Sequence, residues 1–136
     1  MIRAIEHIAI AAKDTAGLAR WYRDTLGFRV VVAGQMGADG KQGTWFVGPM
    51  EGEAVVEIVP ANDAARTEHG LNDAGFRHLA FTVTDFDAVV ESLKSKNVTF
   101  TGAMQGGAPG ERRLAFFLDG EGNVLQLVQR PQPLGT

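Results

Sequence analysis

An internal repeat constrains this chain more than any other feature. Ile5-Glu6-His7-Ile8-Ala9-Ile10-Ala11 recurs as Phe76-Arg77-His78-Leu79-Ala80-Phe81-Thr82, with the two histidines 71 residues apart. Asp14 falls on Asp85 at the same offset. Both stretches read as strands, because β-branched and aromatic residues alternate with smaller ones. Side chains alternate faces along a strand. His78, Ala80 and Thr82 therefore share one face, and Leu79, Phe81 and Val83 the other. The first face carries an imidazole beside two small residues, which leaves room for a bound group.

The residues after each copy repeat the same order of elements. Residues 2–12 form a strand, and Asp14 caps a helix from about Thr15 to Leu26, with Leu18, Trp21, Tyr22, Thr25 and Leu26 on its buried side. Gly27 stands at the C′ position. Strands come next at Phe28 to Ala33, from Thr44, and at Glu53 to Val59, separated by turns at Gly37–Gly40 and Pro49–Gly52. Residues 61–75 read as a polar linker.

The order then restarts. A strand over 76–83 leads to an Asp85-capped helix reaching about Lys96, with Phe86, Val89, Val90 and Leu93 on one side. Val98 to Thr101 is a short strand, and Gly102 to Gly110 a glycine-rich loop. Strands at Arg113 to Leu118 and Val124 to Val128 flank a tight turn at 119–123. The fold class is therefore α+β: two βαβββ modules, about 1–60 and about 76–130, in a single domain spanning 1–136. Neither module is large enough to close a core alone. One curved eight-stranded sheet with helices outside is favoured over two ferredoxin-like halves.

The repeat also predicts which polar residues correspond. Val55-Val56-Glu57-Ile58-Val59 aligns with Val124-Leu125-Gln126-Leu127-Val128, so Glu57 and Gln126 are a matched pair beside the matched His7 and His78. Taken singly, a strand histidine is a core or surface residue, and Glu57 a solvent-facing one. At repeat-equivalent positions on four strands, the set points to a divalent ion. A carboxylate within an apolar run is costly to bury unless paired or bound to a cation. Two imidazoles and two oxygen donors suit Zn²⁺, Ni²⁺, Co²⁺, Mn²⁺ or Fe²⁺, and without a thiolate, softness does not choose among them.

These motifs, with Trp21-Tyr22-Arg23-Asp24-Thr25-Leu26-Gly27-Phe28 and Phe117-Leu118-Asp119-Gly120-Glu121-Gly122-Asn123-Val124, resemble the vicinal oxygen chelate superfamily over essentially the whole chain. That superfamily includes glyoxalase I, methylmalonyl-CoA epimerase, extradiol dioxygenases, fosfomycin-resistance enzymes and bleomycin-binding proteins. The resemblance implies a divalent metal ion held at the positions of His7, Glu57, His78 and Gln126, and bidentate binding of a substrate's adjacent oxygens. Gln126 departs from the glutamate usual at the last position, which counts against a dioxygenase or a fosfomycin-type enzyme and leaves Glu57 as the candidate catalytic base. The ligand pattern is nearest to glyoxalase I-like lyases and isomerases. A metal-free binding protein of the bleomycin-binding type is the second reading, and an extradiol-type dioxygenase the third. The resemblance also implies a homodimer.

Other classes are disfavoured. A net charge of -3 with no basic run argues against nucleic acid as a partner. No stretch approaches the roughly 20 apolar residues of a membrane span. The chain has no cysteine, which removes disulfides and thiolate sites and fits a soluble cytoplasmic protein. Trp45, Phe46, Arg112 and Arg113 are weaker candidates for a substrate pocket. Trp45 and Phe46 are neighbours on a strand, so only one of them can face a site. The Arg pair comes after the glycine-rich loop, as a cationic handle on a lid or, the favoured explanation, as solvated residues of a flexible hairpin. His69 reads as a surface residue.

Overall fold

The computed structural model describes residues 1–136. The chain divides into two compact units, Met1–Arg66 and Thr67–Thr136. The first contains β1 (His7–Ala12), α1 (Thr15–Leu26), β2 (Arg29–Val32), β3 (Trp45–Gly48) and β4 (Val55–Pro60). The second contains β5 (Leu79–Thr82), α2 (Phe86–Ser95), β6 (Phe100–Gln105), β7 (Arg113–Leu118) and β8 (Val124–Gln129). Both are βαβββ modules. Hydrogen bonding forms two four-stranded sheets, ordered β1-β4-β3-β2 and β5-β8-β7-β6. In each, the first and last strands of the module run parallel, and the other pairs antiparallel.

The helices start where a carboxylate satisfies free amides. Asp14 accepts from the Gly17 amide at 2.8 Å, and Asp85 from the Ala88 amide at 3.0 Å. Each start is also secured from a distant strand or loop. The Thr15 amide donates to Gln42 Oε1 at 2.8 Å, and the Phe86 amide to Gln129 Oε1 at 2.7 Å. Gly27 ends α1 at φ 73, where its amide donates to the Arg23 carbonyl at 3.1 Å and the Phe28 amide to the Tyr22 carbonyl at 3.2 Å. In the second module Asn97 takes the left-handed conformation after α2, at φ 59.

One face of each sheet builds a core against its helix. Leu18, Ala19 and Tyr22 of α1 are buried, as are Val47, Val56 and Ile58 of the sheet beneath. Phe86, Val90 and Leu93 of α2 are likewise buried, with Ala115, Phe117, Leu125 and Leu127. A side chain as enclosed as Phe117 contributes about 2–3 kcal/mol by leaving water. Trp21, Thr25 and Leu26, placed on the buried side of α1 by spacing, are half-buried at its margin.

Two segments depart from the sequence reading. The strand expected to end at Thr101 continues to Gln105, crossing Gly102 at φ 69. A register shift there lets the β6–β7 ladder resume at Gln105–Leu114. The strand expected over 76–83 begins only at Leu79, because Arg77 donates to the carbonyls of Gly70, Ala74 and Gly75 and ties the approach to the linker.

Candidate functional site

Strand register settles which side chains share a face. Ala9 pairs with Glu57, and Glu57 with Phe46, so the face of the first sheet opposite α1 carries His7, Ala9, Ala11, Glu57 and Phe46. In the second sheet Ala80 pairs with Gln126, and Gln126 with Phe116. The face opposite α2 accordingly carries Ala80, Thr82, Gln126 and Phe116, with His78 at its entrance. Each module thus presents an imidazole, an oxygen donor, a phenyl ring and small residues on an open sheet face.

The two half-sites differ in their bonding. His7 Nε2 lies 2.9 Å from Glu57 Oε2, with the side chains 37% and 21% exposed. His7 Nδ1 lies 3.0 Å from Glu6 Oε1. The ring therefore stands between two carboxylates, and meets Phe46 edge-on at 6.0 Å between centroids. In the second module His78 meets Phe116 edge-on at 5.1 Å. Gln126 brings no charge, and no carboxylate is bonded to His78.

His7 Nε2 and Glu57 Oε2 stand at hydrogen-bond separation, a spacing that two ligands of one ion also have. Two donors bound at about 2.1 Å and at right angles would be about 3 Å apart, which matches the Nε2–Oε2 separation. No three His, Asp or Glu side chains cluster as a metal site. Each module supplies one imidazole and one oxygen donor from the matched set.

The weaker pocket candidates separate. Phe46 lies on the open face, whereas Trp45 pairs with Ile58 and lies on the helix-facing side. The Arg pair splits too. Arg113 lies over the Phe86 ring at 4.4 Å and donates to Asp87 at 2.9 Å, so it clamps α2 and is not a solvated hairpin residue. That hydrogen bond holds the Asp87 carboxyl below its usual range and raises the Arg113 guanidinium. Arg112, with Gln105, Gly106, Glu111 and Leu114, lines a cavity of about 360 Å³. Leu114 lies two residues from Phe116, so the cavity adjoins the open face. At Gly106 (φ 83) a Cβ would collide with the Arg112 carbonyl, so the hairpin neck requires glycine.

Sequence reasoning missed Phe116 and Glu6. A signal for Phe116 exists: it lies 70 residues after Phe46, between the offsets of 71 for the histidines and 69 for Glu57 and Gln126. No spacing reveals Glu6, since neighbours on a strand ordinarily point apart.

Two βαβββ modules, each offering an imidazole and an oxygen donor on an open sheet face, are the architecture of the vicinal oxygen chelate class. The chain belongs to the Glyoxalase/Bleomycin resistance protein/Dioxygenase superfamily, whose sequence profile matches residues 4–127. It is 30% identical over 133 residues to the uncharacterized protein YaeR of Escherichia coli K12, covering 95% of this chain and 98% of that one. Identity to the uncharacterized protein YwkD of Bacillus subtilis is 28% over 131 residues, covering 96% and 99%. Among solved structures, the glyoxalase family protein from Enterococcus faecalis shares the fold with a TM-score of 0.73 at 22% identity, covering 93% and 97%. TnmS3, an antibiotic binding protein from Streptomyces sp. CB03234, does so at 0.69 and 24%, covering 95% and 97%.

Proposed function

We propose that the protein is a metal-dependent lyase or isomerase of glyoxalase I type, with His7, Glu57, His78 and Gln126 holding a divalent ion. The observation that carries this reading is the Nε2–Oε2 separation of 2.9 Å on an open face, with His78 and Gln126 at the repeat-equivalent positions of the second module. Bound there, the ion supplies Lewis acidity toward two adjacent substrate oxygens. Glu57 is the one carboxylate of the set, and it takes a proton from the hydroxyl-bearing carbon next to the substrate carbonyl and delivers it to the old carbonyl carbon, while the hydroxyl proton passes to the neighbouring oxygen and the first carbon becomes the new carbonyl. Gln126 orients without adding charge, so the ligand set carries one negative charge in place of two. Ala9 and Phe46 in the first module, and Ala80 and Phe116 in the second, make each open face small and apolar beside its polar pair. Arg112 flanks the same face through the cavity beside Leu114. A glutathione hemithioacetal is the first substrate to test.

A second reading is binding without catalysis, as the name of TnmS3 describes for that protein. It is favoured by the apolar character of both faces and by the neutral Gln126. In either case the protein acts as a cytoplasmic homodimer. Support comes from Ile2, Ile5 and Ile8, which leave apolar surface exposed at the start of β1, an edge strand. No helix is long and apolar enough to cross a membrane.

Elemental analysis of protein purified without chelator or affinity tag decides between the readings, with His78→Ala alongside. The metal reading expects about one divalent ion per site in the parent and none in the variant. It fails if the parent holds no metal and takes up none on dialysis against Zn²⁺, Ni²⁺, Mn²⁺ or Fe²⁺.

A further inference from the structure

The geometry points to Glu6 as a positioning residue for His7, an assignment that rests on the divalent-ion reading above. A carboxylate only accepts hydrogen bonds, so when Nε2 gives its lone pair to an ion, Nδ1 carries the ring proton and donates it to Glu6, 3.0 Å away. With Nδ1 carrying its proton toward Glu6, Nε2 is the nitrogen presented to the open face. It is also the nitrogen 2.9 Å from Glu57. Histidine ligands of metals are commonly fixed in this way, by a carboxylate on the nitrogen that does not bind the ion.

Glu6 is well placed for this task. It sits just ahead of β1, where strand alternation no longer sends its side chain away from its neighbour's. Its carbonyl accepts the Val55 amide at 3.0 Å, which anchors its backbone to β4, the strand that carries Glu57. One residue is therefore tied to β4 through its backbone and to His7 through its carboxylate. Its side chain is 88% exposed and serves no core contact, so removing it does not threaten folding.

The second module shows that the arrangement does not come with the repeat. The equivalent of Glu6 is Arg77, which cannot accept from His78 and is spent on the carbonyls of Gly70, Ala74 and Gly75. Glu6 thus makes His7 the pre-oriented imidazole of the pair, and His78 the one that adjusts.

Calorimetric titration with Zn²⁺ of the parent, Glu6→Ala, Glu6→Gln and Arg77→Ala tests the assignment. Glu6→Ala should weaken Zn²⁺ binding by about 10- to 100-fold, the usual effect of losing an outer partner of a ligand. Glu6→Gln keeps an acceptor oxygen and should recover most of that loss, and Arg77→Ala should change nothing. The His7 Nδ1–H resonance, tracked by NMR on ¹⁵N-labelled protein with and without Zn²⁺, should be protected from exchange in the parent and lost in Glu6→Ala. Unchanged Zn²⁺ affinity in Glu6→Ala, or an equally protected Nδ1–H, would overturn the role. A parent that binds no Zn²⁺ would instead sink the metal reading, while the Nδ1–H signal of the metal-free protein still decides whether Glu6 orients the ring.

Discussion

The two modules share an order of elements, two capped helices and an imidazole at the same place, yet they have diverged in the chemistry of their open faces. The first surrounds His7 with Glu6 and Glu57, both carboxylates. The second sets His78 against a phenyl ring, carries a neutral amide at the position of Glu57, and uses the position equivalent to Glu6 for a guanidinium turned to the linker. The folding problem is solved identically in both, by alternation, capping and a helix over one face. The polar residues obey no such symmetry. The fold and the chemistry of the open faces are carried by different side chains of the same strands.

The sharpest way to break the comparison is to exchange its two oxygen donors. Glu57→Gln makes the first module like the second and removes the only carboxylate of the proposed ligand set. Turnover of a hemithioacetal, the first substrate to assay, should fall by about 10²–10⁴-fold, the usual worth of a positioned base. Adding Gln126→Glu to that variant restores a carboxylate at the equivalent place. Recovery of activity would show that the halves are chemically interchangeable, and no recovery would assign proton transfer to the first module alone.

A smaller effect tests whether the cores are equivalent. Ile58 and Leu127 occupy matching positions and are 0% and 2% exposed. Truncation of either to alanine should cost about 2–5 kcal/mol in urea unfolding, with the spread set by how far the surroundings collapse. A much smaller loss in one module would mean that its core is looser.

The repeat made the fold readable. Periods of two and of three to four, broken at Asp14, Gly27 and Asp85, locate both helices and most strands, because those signals are local. The matched pairs His7/His78 and Glu57/Gln126 were legible for the same reason. What stayed hidden depends on contacts that spacing does not encode. Gln42 and Gln129 reach the helix starts from far along the chain. The side of the sheet taken by Arg113 is decided by Phe86 and Asp87. The bulge in β6 is set by where its ladder with β7 can resume.

The helix ends provide a third contrast. Gly27 and Asn97 both take left-handed backbone, at φ 73 and 59, but only Gly27 does so without a side-chain penalty. A Cβ at Gly27 would meet nothing within 4 Å, so Gly27→Ala isolates the backbone term and should cost about 1 kcal/mol. Asn97→Gly should gain about half that or less, since asparagine already tolerates the conformation. Paired thermal melts of the two variants check the opposite signs.

The smallest expected effect concerns how each helix is tied to its sheet. In the first module the tie is neutral: Thr15 Oγ1 donates to the Gly43 carbonyl at 2.9 Å. In the second it is ionic, Arg113 on Asp87, where the first module has Ala16 in place of the acid. The hydrogen bond from Arg113 lowers the Asp87 carboxyl, outweighing the opposing effect of burial. A carboxyl lowered on folding adds stability that is fully present above its ordinary value of 3.8 and is lost as pH falls through the folded one. Asp87→Asn should therefore melt slightly below the parent at pH 7, with the gap closing under acid and under high salt. Thr15→Val should cost about 1 kcal/mol at every pH, because no charge is involved. If Asp87→Asn melts with the parent even at pH 7, Arg113 holds α2 by stacking on Phe86 and not through the ion pair.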